Sequence, residues 1–263
     1  MDFIAQLENL RFYLIGPYPK GDMGGLALNI ILALLAVLFS FGVGALAGYS
    51  RLSCRKYIKI PSMFFIEIIR ATPLLMIIFW MYFFLPYIFG NYVTLFWSAV
   101  ASLSLYAAAY QAEIVRAGII AVPRGQLEAA LSTGMSRYKA MGYVVLPQAF
   151  RIMIPSFLSF FVSLFKDTST VFVIGIIELT QAGVIISQRD PDKMYTAYAI
   201  MGIGFWTISF SLSHLARRLE KHVGVFDLES YRPDACRDEF MLMPKVKKTG
   251  EGMDVVNSCD PLR

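Results

Sequence analysis

The chain contains three long stretches without a charged side chain, at residues 23–50, 71–112 and 194–216. A membrane-spanning helix needs about 20 predominantly apolar residues, so each stretch is long enough to hold at least one. Soluble domains carry about 25% charged residues, whereas only 16% of this chain is charged and 57% is hydrophobic. These features predict an all-α membrane protein with several spans. They exclude a secreted disulfide scaffold, a disordered chain and most soluble enzymes.

The apolar segments divide into five predicted transmembrane helices. The stretch at 71–112 is long enough for two, and Pro86 and the Gly90-Asn91 pair mark a reversal between them. A charged Lys166-Asp167 pair interrupts the fourth segment. The helices are expected at about Gly24–Tyr49, Pro61–Leu85, Thr94–Ile120, Ile152–Ile177 and Tyr195–Leu215.

Basic side chains gather in alternate loops of this arrangement. The three basic groups are Arg51, Arg55, Lys56 and Lys59; then Arg116, Arg124, Arg137, Lys139 and Arg151; then Arg217, Arg218 and Lys221. Cytoplasmic loops of membrane proteins carry an excess of Lys and Arg, so this pattern predicts an external amino terminus and a cytoplasmic carboxyl terminus. Topology therefore explains the net charge of +5 better than nucleic-acid binding does, and no nucleic acid is expected as a partner.

The predicted five-helix domain covers residues 24–221 and is flanked by two different segments. Residues 1–23 form an external amino-terminal segment. Residues 222–263 hold eight acidic and six basic side chains with scattered Pro and Gly, which indicates a largely disordered cytoplasmic tail. The three cysteines, Cys54, Cys236 and Cys259, have a spacing that fits no metal site, and we expect free thiols and no bound metal.

The longest polar interruption inside the bundle lies at residues 121–151. From Glu128 to Pro147 it runs EAALSTGMSRYKAMGYVVLP. Gly134 can adopt a positive φ and end a helix, so two short helices joined at this glycine are expected. The small Ala129 and Ala130 would let a partner surface approach closely, and Pro147 is expected to mark the entry into the fourth span.

This string resembles the EAA loop of permease subunits of bacterial ABC importers: EAA, three residues, Gly, nine residues, Ile or Val, one residue, Leu-Pro. The only departure is Val144, where Ile is commoner. The resemblance extends over about residues 20–222. Strings that look like the polar amino-acid branch are FIEIIRATPLL from Phe65, AYQAEIVRAGI from Ala109, RGQLEAA from Arg124, LPQAFR from Leu146 and LFKDTS from Leu164.

The resemblance implies a type I importer permease in the bacterial cytoplasmic (inner) membrane. Its coupling loop would sit in a groove of a separate ATPase, and the matching positions here are Glu128, Ala129, Ala130, Gly134, Leu146 and Pro147. The chain has no Gly-rich loop with GK[ST], so no cofactor is expected on it, and ATP and Mg are expected on the partner. The implied partners are two ATPase subunits, a second permease (identical or paralogous), an external amino-acid-binding protein and membrane lipid.

The run FWMYFFLP and the external SQRD look more like glutamate/aspartate members of the family, so these are the first expected substrates and glutamine is the next. Ionisable groups inside a membrane are costly and usually mark pairing or function. The candidate path or gate residues are Glu67, Arg70, Thr72, Glu113, Arg116, Lys166, Asp167, Thr168 and Ser169.

Two groups of these residues have different expected roles. In each copy of the EI-x-RA motif, at residues 67–71 and 113–117, Glu and Arg are three positions apart and share a helix face, which favours ion pairing or a gate over substrate contact. The residues at 166–169 form either a helix break or part of the path, where Lys166 attracts a substrate carboxylate. Glu178 is expected to be a solvated loop carboxylate, or to pair with a lysine of the binding protein.

An ion-coupled secondary amino-acid transporter is the alternative function. It would use Glu67, Lys166 and Asp167 as relays, but it would leave the EAA loop unexplained. Uptake that depends on ATP and a binding protein, rather than on a pH gradient, distinguishes the two.

Overall fold

The computed structural model describes residues 2–19, 21–53, 55–90 and 93–223, and this part of the chain consists of helices joined by turns, with no β-strand. The predicted tail at 222–263 lies almost entirely outside the described residues. The α-helices are α1 (Asp2–Ile15), α2 (Gly25–Arg51), α3 (Lys56–Ala71), α4 (Leu74–Phe89), α5 (Leu95–Ile120), α6 (Arg124–Ser132), α7 (Arg137–Ala140), α8 (Leu146–Asp167), α9 (Leu179–Arg189) and α10 (Met194–Val223). A π-helical turn at Met141–Val145 and 3₁₀ turns at Thr168–Ile174 and Pro191–Lys193 connect some of them.

Several helices are long and apolar enough to cross a membrane. Among the described residues, three stretches meet this condition alone: Gly25–Arg51, Arg137–Ile174 and Pro191–Leu219. Two bent pairs, α3 with α4 and α5 with α6, raise the number to as many as five when each pair counts as one span. The predicted number of five corresponds to this upper value.

The expectation of one continuous second helix from Pro61 to Leu85 is wrong. The chain bends by 108° between α3 and α4. Pro73 causes the break, since its ring disfavours helical backbone in the preceding residue, and Thr72 is accordingly extended with φ −93° and ψ 132°. Because residues 71–112 contain no charged side chain, the charge pattern did not indicate that a helix ends at Ala71.

The expected boundary at Pro147 is also wrong. Helical structure continues from Arg137 to Ile174 over 38 residues and passes through the π-helical turn at Met141–Val145. Pro147 lies in the first turn of α8, where a missing N–H group costs little. The second short helix of the polar loop is therefore the start of the fourth span.

Close packing between α2 and α5 forms the centre of the bundle. Gly44 and Gly48 face α5, and a Cβ atom at Gly44 would lie 2.9 Å from Gln111 Cβ. A Cβ atom at Gly48 would overlap the carbonyl oxygen of Ala112. Small residues at these two positions let the backbones approach closely, as is common between helices in lipid.

The amino-terminal segment is itself a helix that packs on the bundle. Tyr13 of α1 is buried in a cluster with Leu179, Ala182 and Ile186 of α9. The backbone N–H of Gly25 donates to the carbonyl oxygen of Ile177 at 2.9 Å. The segment between the fourth and fifth spans is thus held against the start of α2, at the end of the bundle opposite the polar loop.

Candidate functional site

The polar loop at 121–151 folds as a short helix, a turn and a second helix. α6 carries the EAA triplet, and Gly134 in the following turn has φ +82°. Residues with a Cβ atom rarely adopt this left-handed conformation, so glycine suits the helix end. The predicted first short helix and its end near Gly134 are confirmed, whereas the second helix continues into the fourth span.

α6 has one face in the bundle and one face outside it. Leu127 and Ala130 are 5% and 6% exposed and belong to a cluster with residues of α5 and α8. Glu128 and Ala129 are exposed. The sequence assigned both alanines to a partner surface, but Ala130 anchors the loop to its own bundle, and Glu128 and Ala129 remain accessible.

Large apolar and aromatic side chains surround the exposed face of the loop. Those at least a third exposed between residues 131 and 146 are Leu131, Met135, Tyr138, Tyr143 and Leu146. Pro147, beside them, is exposed as well. Exposed apolar side chains outside the lipid commonly mark a protein–protein contact. The loop thus offers an apolar surface with one exposed carboxylate, Glu128, and the exposed basic side chains Arg124, Arg137 and Lys139.

The loop is connected to the bundle by stiff elements at both ends. On one side α6 follows α5 after a bend of 61°. On the other side the helical stretch Arg137–Ile174 carries the loop directly into the fourth span. Gln148 Nε2 of α8 also donates to Gln126 Oε1 of α6 at 3.3 Å. The loop is therefore joined to α8 both by continuous helical structure and by a side-chain hydrogen bond.

Five charged side chains meet where α2, α3 and α5 come together. Glu113 accepts hydrogen bonds from Arg51 Nη1 at 2.8 Å and Arg116 Nε at 3.0 Å. Arg51 Nη2 donates to Glu67 Oε1 at 3.1 Å. Arg70 Nη1 lies 3.9 Å from Glu113 Oε2. The structure thus brings together the four charged residues of the two EI-x-RA motifs and adds Arg51, which the sequence placed only among the basic loop residues.

The two EI-x-RA motifs differ in structure although their sequences match. In the second motif Glu113 and Arg116 pair within α5, as predicted. In the first motif Glu67 pairs with Arg51 instead, and the guanidinium of Arg70 lies over the ring of Tyr110 at 5.3 Å. A guanidinium above an aromatic face is attracted by the ring. Both motifs therefore connect α3 to α2 and α5.

Thr72, another candidate, lies in the break between α3 and α4. Its Oγ1 donates to the carbonyl oxygen of Ile68 at 2.8 Å, and its backbone N–H donates to the same oxygen at 3.1 Å. Thr72 is therefore the residue that closes α3.

The predicted break in the fourth segment is confirmed. α8 ends at Asp167, and a 3₁₀ turn follows from Thr168 to Ile174. Lys166 is exposed, and Asp167 and Ser169 are partly exposed. Thr168 is fully buried, and its Oγ1 donates to the carbonyl oxygen of Phe165 at 2.7 Å. Three of the four candidates therefore reach the surface of this chain, whereas Thr168 is part of the packing.

Asn29 of α2 holds both ends of this broken segment. Its Nδ2 donates to Thr168 Oγ1 and to Glu178 Oε2, each at 2.9 Å. Its Oδ1 accepts from the backbone N–H of Leu179 at 3.1 Å. Asn29, Thr168 and Glu178 are all 0% exposed. Asn29 is not among the residues predicted from the sequence. Its signal was its position as the only amide side chain in the charge-free residues 23–50.

The expectation of a solvated Glu178 is wrong. Glu178 is buried at the start of α9, between the fourth and fifth spans, and caps that helix by accepting from the backbone N–H groups of Thr180 and Gln181 at 2.9 and 3.0 Å. Burial raises the pKa of this carboxyl, and the hydrogen bonds from Thr180, Asn29 and Gln181 oppose that rise. An acidic side chain at a helix start is a recognisable cap, but its burial depends on α2, about 150 residues earlier in the chain.

Among the described residues, no group of three His, Cys, Asp or Glu side chains is arranged to hold a metal ion.

The family model described as the binding-protein-dependent transport system inner membrane component matches residues 40–225. The chain belongs to this family. The matched range includes the polar loop, the five-residue charged cluster and the broken fourth segment. The predicted location, as a multi-pass protein of the inner membrane, is confirmed.

Named relatives of this inner membrane component support the same assignment. The probable glutamine ABC transporter permease protein GlnP of Bacillus subtilis is 35% identical over 217 residues, which cover 78% of this chain and 97% of the relative. The glutamate/aspartate import permease protein GltK of Escherichia coli O6:H1 is 31% identical over 206 residues, covering 76% of this chain and 92% of the relative.

A solved structure is similar over most of the chain. It is the crystal structure of an amino acid ABC transporter with histidines, with a TM-score of 0.74 and 31% sequence identity, covering 84% of this chain and 99% of that one. The all-helical fold and the resemblance to permeases of amino-acid ABC importers are therefore confirmed.

Proposed function

We propose that this chain is the membrane-spanning permease subunit of an ATP-driven importer that carries a polar amino acid into the cell. Glutamate or aspartate is the first proposed substrate and glutamine the second. One observation carries the proposal. The chain belongs to the binding-protein-dependent family, and it has an exposed polar loop at residues 121–151 whose second helix continues into the fourth span.

The proposed coupling site is the exposed side of the loop. Glu128 and Ala129 lie on α6, Gly134 lies in the turn that follows, and Leu146 and Pro147 begin α8. When the ATPase subunits close around ATP, they would displace α6 as a rigid body. Since helical structure is unbroken from Arg137 to Lys166, over about 44 Å at 1.5 Å per residue, the displacement would reach the polar break in the membrane.

The proposed path runs beside the break in the fourth segment. A free amino acid carries a carboxylate and an ammonium group, and the adjacent Lys166 and Asp167 offer the complementary charges. Tyr110 and Phe160 stack with ring centroids 5.6 Å apart and connect α5 to α8 near this level. Arg70 lies over Tyr110, so the same aromatic contact leads to the cluster of Arg51, Glu67, Arg70, Glu113 and Arg116, which we assign to the inner gate.

Two short runs of the sequence and two named relatives support this order of substrates. The runs FWMYFFLP and SQRD resemble glutamate/aspartate members, and GltK, a relative at 31% identity, is named as a glutamate/aspartate import permease. GlnP, a relative at 35% identity, is named as a probable glutamine permease, which supports glutamine as the second candidate.

The complete importer would contain further chains. Five spans are few for a solute path, so a second permease, identical or paralogous, would complete it. Two ATPase subunits would bind ATP and Mg and dock on the α6 loops, and an external amino-acid-binding protein would deliver the solute. The amino terminus would lie outside the cell with residues 1–23, and residues 222–263 would lie in the cytoplasm.

Reconstitution tests this function directly. The permease, its ATPase and its binding protein are incorporated into proteoliposomes, and uptake of labelled glutamate, aspartate and glutamine is measured with ATP inside. We expect uptake that needs both ATP and the binding protein, and we expect glutamate or aspartate to be taken up faster than glutamine. Uptake driven by a pH gradient without ATP would contradict the importer and favour ion coupling, whereas ATP-dependent uptake of glutamine alone would overturn only the first choice of substrate.

A further inference from the structure

α3 runs in a direction very different from that of α4. It contains 16 residues, as does α4, and the two are bent by 108° relative to each other. At 1.5 Å per residue α4 alone is about 24 Å long, close to the roughly 30 Å thickness of a hydrocarbon core. If α4 crosses the membrane, α3 must run nearly parallel to the membrane plane.

The ion pairs of α3 place it at the same depth. Arg51 ends α2, and Glu67 lies eleven residues after the start of α3 at Lys56. In a helix that climbed back through the membrane, Glu67 would lie about 16 Å deeper than Lys56. Instead Glu67 pairs with Arg51, and Arg70 approaches Glu113 near the end of α5. The whole of α3 therefore stays close to the level at which α2 ends.

The start of α3 is basic and unpaired. Arg55, Lys56 and Lys59 are exposed, and none of them forms an ion pair with another residue of the described chain. The one acidic residue of α3, Glu67, is already bound to Arg51. The part of the chain that the structure describes thus provides no counter-ion for these three positive charges.

An apolar face accompanies this charge. Tyr57, Phe64 and Ile68 are 93%, 66% and 40% exposed. Their spacing of seven and four residues places them on one side of the helix, away from Lys56 and Lys59. A helix with Lys or Arg on one face and aromatic and aliphatic side chains on another lies in the membrane interface, with the apolar face about 5–10 Å below the headgroups.

We propose that α3 lies along the cytoplasmic surface of the membrane and binds anionic phospholipid headgroups through Arg55, Lys56 and Lys59. The inner leaflet supplies the negative charge that the described residues do not provide for these three side chains. The choice of leaflet rests on the proposed orientation with an external amino terminus, whereas the in-plane direction of α3 does not.

Depth measurements test the position of α3. Nitroxide labels are attached at Tyr57→Cys or Phe64→Cys in a chain whose Cys54, Cys236 and Cys259 are serine, and the assembled importer is placed in lipid vesicles. These two positions are seven residues apart on one face. The proposal expects equal depths, whereas a spanning helix would place position 64 about 10 Å deeper than position 57.

A pair on a spanning helix provides the control. Phe39 and Leu46 of α2 are likewise seven residues apart and exposed, at 52% and 71%. Labels at Phe39→Cys and Leu46→Cys should differ in depth by about 10 Å. A similar difference on α3 would overturn the proposal, as would labels at 57 and 64 shielded from both lipid and water by another subunit.

Lipid selectivity tests the headgroup. The preference of the importer for spin-labelled phosphatidylglycerol over spin-labelled phosphatidylcholine is compared for the wild type and for Lys56→Gln/Lys59→Gln. The preference should fall about fivefold for each charge removed and should weaken with salt. Lys193→Gln, which removes a lysine paired with Asp190 in the loop before α10, should leave it unchanged. An unchanged preference in the α3 variant would overturn headgroup binding even if the depths agree.

Discussion

Replacement of Asn29 should release the broken end of the fourth segment from α2. Asn29→Leu keeps the approximate volume and removes three hydrogen bonds, to Thr168, Glu178 and the backbone of Leu179. A neutral hydrogen bond contributes about 0.5–1.5 kcal/mol net and one to a charged group about 1.5–3 kcal/mol. The side chains of Asn29, Thr168 and Glu178 are all buried, so we expect the free energy of unfolding to fall by roughly 3–5 kcal/mol.

An exchange of the amide and the carboxylate between positions 29 and 178 distinguishes loss of this contact from nonspecific destabilisation. Asn29→Asp places a second carboxylate against Glu178, and the like charges should destabilise the protein further. Adding Glu178→Gln restores one amide and one carboxylate in exchanged positions, so the double variant should regain most of the lost stability. A positive coupling energy of about 1–3 kcal/mol is expected from the double-mutant cycle.

Thermal unfolding of the purified permease in detergent, followed by tryptophan fluorescence, measures these changes. Ser40→Ala is the matched control, because Ser40 is buried on the same helix but bonds only to the carbonyl oxygen of Val37. It should cost no more than about 1 kcal/mol. If Asn29→Asp/Glu178→Gln is no more stable than Asn29→Asp, the two residues are not energetically coupled and the reasoning is refuted.

Three further predictions concern the loop, the bundle and the path. Glu128→Arg and Gly134→Trp should each lower co-purification of the ATPase at least about tenfold with normal membrane insertion, and full recovery of the ATPase with both variants would contradict the coupling role. Gly48→Val should destabilise the permease by about 1–3 kcal/mol in the same thermal assay, whereas Gly42→Val should be neutral because a Cβ at Gly42 meets nothing within 4 Å. Lys166→Met should raise the KM for uptake about tenfold through loss of one charged hydrogen bond, and unchanged uptake would exclude contact with the substrate carboxylate.

Much of the fold follows from local patterns in the chain. The charge-free stretches predict the apolar segments, and the fourth is broken where the charged pair at Lys166 and Asp167 predicts. Gly134 ends a short helix with a positive φ for a reason that is visible in sequence, since only glycine adopts that conformation without strain. These features depend on neighbouring residues, so they can be predicted without knowing the fold.

Proline needed more context than the sequence provides. Pro73 breaks a helix, while Pro147 lies within continuous helical structure. The difference depends on the preceding turn: Thr72 becomes extended before Pro73, whereas the π-helical turn before Pro147 accommodates the ring. Thr72 follows the steric preference for extended backbone before proline, whereas Leu146 keeps helical backbone with φ −60° and ψ −41°, and the surrounding packing selects between these outcomes.

The charged and polar contacts between helices could not be predicted at all. Glu67 and Glu113 occupy equivalent places in two similar motifs, yet Arg51 binds both of them from a third helix. Glu178 seemed to be in a loop because nothing near it in sequence suggests burial, and its partner Asn29 is 149 residues away. Periodicity identifies the faces of a helix but not which helix each face will meet.

Both of the contacts that the sequence did not reveal belong to α2, and their positions determine how α8 can move. Asn29 and Arg51 are 22 residues apart, about 33 Å along the helix, so they hold α2 to its neighbours near its two ends. Asn29 holds the far end of α8 at Thr168, whereas the near end begins in the exposed loop at Arg137. A helix fixed at one end and pushed at the other turns about the fixed end. We therefore expect a push on the loop to move the inner half of α8 most, next to the Glu113 cluster, and the level of Thr168 least. The ion pairs around Arg51 would then lie where the movement is large enough to open a gate, and the Asn29 contacts where the polar break must keep its shape.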